Sequence, residues 1–140
     1  DRFPEFTEKL RGAMRRETEL FFASVLRERK QLSDFLSADY TFVNEPLAKL
    51  YGIEGITGDE FQRVSLANKP RGGGVLTHAS VLTITSDPTR TSPVKRGKWV
   101  METILGSPPP AAPADVPELD KQQLTGTLRQ RMEQHRANPA

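Results

Sequence analysis

The chain has 140 residues, enough for one hydrophobic core, with 36% hydrophobic and 27% charged residues and a formal charge of +2 from 20 basic and 18 acidic side chains. The interspersed charges and the lack of a basic run with interleaved aromatics argue against nucleic-acid binding, and no run of ~18 apolar residues offers a membrane span. With no cysteine, disulfides, thiolate metal sites and thiol nucleophiles are excluded within the chain.

The sequence opens on Asp1 without an initiator Met or an apolar leader, so it is expected to be a piece of a larger protein whose targeting signal lies upstream. Phe3, Phe6, Leu10, Met14, Phe21, Phe22, Val25 and Leu26 recur at three- and four-residue intervals, which predicts an amphipathic helix from about Pro4 to Arg29 with one buried stripe. Pro4 suits its first turn, where a missing N–H costs nothing. Ser33 then offers a cap for a short turn through Leu36. Asn44 offers another for a helix with Pro46 near its start, Leu47, Leu50 and Tyr51 facing inward and Gly52 as its left-handed stop. Residues 33–52 therefore read as a helix–turn–helix hairpin packed on the first helix.

Glycines break the periodicity from Gly52 to Gly58, and Phe61 to Leu66 alternate in the manner of a short strand. Lys69 to Gly74 read as a flexible turn. Val75 to Thr85 suit either a buried helix or a strand: the β-branched residues at the end favour extended structure, while Leu76, Ala79 and Leu82 share a helical face. A helix ending near Thr83 is the reading adopted. Next, Ser92 predicts a cap, Pro93 a first helical position and Gly106 a stop, with Val94, Gly97, Met101, Ile104 and Leu105 on one face. Met101 is thereby expected in the core. The prolines at 108–110, 113 and 117 predict an extended tether, and residues 124–133 a weakly apolar helix that needs a partner surface.

The expected fold is thus mostly α, with irregular loops and at most a short strand pair. A helical domain spans 1–106, a proline-rich linker 107–118 and a docking helix 119–140. The phrases Gly73-Gly74-Val75-Leu76-Thr77, Ala79-Ser80-Val81-Leu82-Thr83, Arg90-Thr91-Ser92-Pro93-Val94 and Arg96-Gly97-Lys98-Trp99-Val100 resemble a domain family of unknown function found in large planctomycete proteins with cytochrome c domains. Asp39-Tyr40-Thr41-Phe42-Val43-Asn44-Glu45 resembles the end of the adjoining family region, so residues 1–66 and 71–140 resemble two neighbouring regions. In that family the phrase similar to Arg136-Ala137-Asn138-Pro139-Ala140 runs into a Cys-x-x-Cys-His haem-attachment motif. The resemblance implies an exported, periplasmic or surface-located parent with covalently bound haem c, the haem domain being this chain's neighbour and partner in the same polypeptide. It supplies no activity.

Between Arg71 and Trp99, five basic residues (Arg71, Arg90, Lys95, Arg96, Lys98) face one acid, Asp87. A helix start at Ser92 flanked by Arg90 and Arg96 has the chemistry of an anion site, for which a haem propionate is one occupant; the alternative is that the two arginines tie the 87–93 loop to backbone carbonyls and buried acids. Trp99 offers a stacking face or a core ring. His78 combines metal affinity with near-neutral titration but has no second or third ligand, so a structural role competes. Arg90, Ser92, Arg96, Trp99 and His78 are therefore the candidate residues facing a neighbouring haem domain, with no catalytic or metal-binding set. Ser80 or Ser92 with His78 or His135 lacks a nucleophile elbow, and Asp59-Glu60 lacks a partner carboxylate. The expected role is a non-catalytic scaffold or docking module; the alternative is a surface module that binds polysaccharide or a partner protein.

Overall fold

A computed structural model describes residues 3–67, 72–88, 91–111 and 126–137. The chain is mostly helical, with one antiparallel strand pair among the described residues, and divides into two compact units, Asp1–Val100 and Met101–Ala140.

In the first unit, α1 (Glu8–Arg27) starts four residues later than Pro4 because Thr7 caps it, its side chain accepting from the Leu10 N–H at 3.2 Å. Pro4 sits in a preceding turn, and Phe3 and Phe6 are exposed instead of joining the stripe. The buried stripe is Leu10, Ala13, Met14, Glu17, Phe21 and Val25. The helix ends where Arg29 turns left-handed (φ 51°), so that the Arg29 and Lys30 amides bond the carbonyls of Leu26 and Val25.

The short α2 (Asp34–Ser37) leads into β1 (Tyr40–Val43), and this corrects the expected hairpin, which had no strand between its helices. Antiparallel β2 (Gln62–Ser65) pairs with β1 in the register Tyr40↔Ser65 to Val43↔Gln62, where the alternation of residues 61–66 placed a strand. Between them, α3 (Glu45–Tyr51) is capped by Asn44 and stopped by Gly52 at φ 65°, as expected, while Leu50 is exposed, not inward.

A 3-10 turn (Val75–Thr77) and α4 (Ala79–Ile84) replace the single helix expected there, because His78 breaks the two with extended backbone. The glycines before them are packed tightly. A Cβ on Gly73 would overlap the Ala38 carbonyl, and one on Gly74, whose φ is 76°, would overlap the Leu36 backbone. Lys69 to Arg71 lie outside the described residues.

Two hydrophobic clusters flank α1. Leu10, Ala13, Met14, Val43, Leu47, Ala48 and Ala79 form one; Phe21, Val25, Ala38, Tyr40, Val75 and Val81 form the other, with Phe35, Phe42, Leu76 and Trp99 against it. The ring of α5 (Pro93–Trp99) that reaches this second cluster is Trp99.

Helical backbone continues past α5 as a π-helical turn, Val100–Ile104. In the second unit its Met101, Ile104 and Leu105 are exposed, which overturns the expected core position of Met101. Pro113, Pro117 and residues 119–125 lie outside the described residues. The last helix, α6 (Leu128–Ala137), opens with a reciprocal cap: the Thr127 amide donates to Gln130 Oε1 at 2.8 Å and the Gln130 amide donates to Thr127 Oγ1 at 3.3 Å.

Candidate functional site

The sequence singled out the entrance of α5. Ser92 is buried there as a helix cap, its hydroxyl accepting from the Lys95 N–H at 3.3 Å. Arg96, one turn on, spends its guanidinium on the end of α4: Nε donates to Thr85 Oγ1 at 3.2 Å and Nη2 to Ser86 Oγ at 3.4 Å. Lys95 pairs with Asp87. Arg96 thereby ties α5 to the chain that leaves α4, through the hydroxyls of Thr85 and Ser86 and not through backbone carbonyls or acids of the 87–93 loop. Trp99 is half-buried against the Phe21 cluster, a structural setting for the ring. Arg90 lies outside the described residues.

His78 is away from this surface. Its ring is 1% exposed, meets Phe21 edge-to-face at 4.8 Å, and places Nδ1 3.0 Å from Thr18 Oγ1. Thr18 Oγ1 is also 2.8 Å from Ser80 Oγ. His78 meets Phe21 and Trp99 packs against the cluster to which Phe21 belongs, while Ser92 and Arg96 share the α5 entrance. Among the described candidate residues, His78 and Arg96 belong to different hydrogen-bonded arrangements.

A second polar group, missed in the sequence, lies beside His78. Glu17 is fully buried between the two clusters, and both its oxygens accept: Thr41 Oγ1 donates to Oε1 at 2.5 Å and the Tyr51 hydroxyl donates to Oε2 at 2.6 Å. The Tyr51 oxygen in turn accepts the Ala79 N–H at 2.8 Å, which fixes its proton toward Glu17. Short O–H···O⁻ bonds of this kind compensate a carboxylate taken out of water. One signal was legible. Glu17 stands three residues after Met14 and four before Phe21, an acid at the spacing of the buried stripe.

The donor chemistry tests the haem expectation directly. Thioether attachment needs cysteines, and this chain has none. The ring of His78 is buried against Phe21 and the Thr18 hydroxyl, and no grouping of three or more His, Asp or Glu suited to a metal ion occurs among the described residues.

Two family models match the chain. Residues 71–140, half of the chain, match a protein of unknown function (DUF1588) labelled PSCyt3, and residues 1–53 match another protein of unknown function (DUF1592) labelled PSD4. Neither a curated protein nor a solved structure matches it.

Proposed function

The chain belongs to the family of unknown function DUF1588, labelled PSCyt3, and from that premise we propose that it serves as a non-catalytic docking module beside a c-type haem domain in an exported redox protein. The abbreviation in the family label accords with a cytochrome neighbour. So does the closing phrase Arg136-Ala137-Asn138-Pro139-Ala140, which resembles the lead into a haem-attachment motif.

The observation that carries the docking role is the apolar surface of the π-helical turn. Met101 and Ile104 are each 36% exposed and Leu105 65%, on a segment followed by Pro108-Pro109-Pro110. Apolar side chains gathered on a helical turn at the surface are the usual mark of a partner site.

The test is made on the longest natural chain that contains this segment, matured with haem. Replacing Ile104 and Leu105 together by Ser is expected to shift the haem reduction potential or its absorption bands, whereas Leu32→Ser, at an exposed site on the first unit, leaves both unchanged. An Ile104/Leu105 variant with the spectrum and potential of the wild type, or a parent that takes up no haem at all, would contradict the proposal.

A further inference from the structure

The two matched regions meet inside one core. Residues 1–53 supply α1, β1 and α3, and residues 72–99 supply the glycine turn, the 3-10 turn, α4 and α5; all of these lie within the unit Asp1–Val100. Phe21, Val25, Ala38 and Tyr40 from the first region share a cluster with Val75 and Val81 from the second. Ala79 completes the other cluster against Leu10, Met14 and Leu47.

Polar groups cross the same seam. Tyr51 of the first region accepts the Ala79 amide that opens α4, and Thr18 of the first region holds His78 and Ser80 of the second. Glu17 sits behind both, fixing the direction of the Tyr51 proton. Backbone also meets backbone, since Gly73 and Gly74 lie so close to Leu36 and Ala38 that no side chain fits between them. Parting the two regions would return Phe21, Val25 and Val81 to water and strip buried polar atoms of their partners.

We propose that the end of a DUF1592 region and the opening of the DUF1588 region that follows it are each other's binding partner, forming one obligate, cooperatively folding interface. The joint between the two is then a rigid core and not a hinge. A chain carrying one region alone requires the other in trans. This holds whether or not a haem domain is the neighbour.

Trp99, the only tryptophan, reports from the second region, and the test places substitutions in the first. In urea unfolding of the full chain, Tyr51→Phe is expected to lower the folded-to-unfolded ratio read by Trp99 fluorescence roughly tenfold. Met14→Ala, in the cluster away from Trp99, is expected to move the same transition in the same direction. Variants in which the helical circular dichroism is lost at lower urea while the Trp99 midpoint stays at the wild-type value would overturn the proposal.

Discussion

Glu17 shows how much a single residue decides in this chain. Burying a carboxylate is tolerated only where its oxygens are fully engaged, and here two hydroxyls do so at 2.5 and 2.6 Å. Glu17→Gln turns one acceptor into an NH₂, which obliges the Thr41 hydroxyl to change from donor to acceptor and weakens both short bonds, and thermal unfolding should show a loss of about 1–3 kcal/mol. A stability equal to that of the wild type would mean that the hydroxyls do not need two acceptor oxygens. At the surface the effects are smaller. Glu45 takes a hydrogen bond from Lys49 and another from the Gly58 N–H, which hold its carboxyl below the ordinary value of 4.5. A lowered folded pKa stabilises the fold above the unfolded value, and that contribution disappears as pH falls through the folded one. Glu45→Gln should therefore unfold at slightly lower urea than wild type at neutral pH, with the two curves converging in acid.

Among elements, those with local grammar were legible and those made by packing were not. Asn44, Pro46 and Gly52 bracket α3 because each satisfies a terminal backbone need on its own. Ser92 and Pro93 start α5 for the same reason. Ser92→Ala should cost about 1 kcal/mol, measured by thermal unfolding, through the lost bond to the Lys95 amide. The strand β1 was hidden because Tyr40, Thr41 and Val43 are all buried and Phe42 partly so, which erases the alternation that marks a half-exposed strand. Likewise Lys69 to Gly74 looked like a flexible turn, yet Gly73 and Gly74 are set against another backbone. Gly74→Ala, which meets both the positive φ and the Leu36 backbone, should destabilise by more than the ~1 kcal/mol of an ordinary exposed Gly–Ala exchange and broaden the unfolding transition. The spacing of Val94, Gly97, Met101, Ile104 and Leu105 suggested one face of a single helix, but the α-helix gives way to a π-helical turn at Val100, and spacing alone cannot say whether a covering surface lies in the same chain.

At the scale of the whole molecule, the mostly helical class followed from composition and periodicity, and the family membership from phrases spread along residues 73–106. The candidate site was legible only in part. Ser92 and Arg96 do act together at the start of α5, but toward the interior; His78 belongs to a separate buried group whose members, Thr18, Tyr51 and Glu17, are far from it in sequence. Long-range polar contacts leave no local pattern to read. They are also what joins the two matched regions, so the central claim is that residues 8–65 and 72–99 unfold together. Its most direct measurement is a urea titration of the wild-type chain followed by NMR at two sites, the Phe21 amide on α1 and the Trp99 indole N–H on α5. One midpoint and one slope are expected for both signals; a Trp99 signal that reaches its unfolded position while Phe21 remains native would contradict joint unfolding.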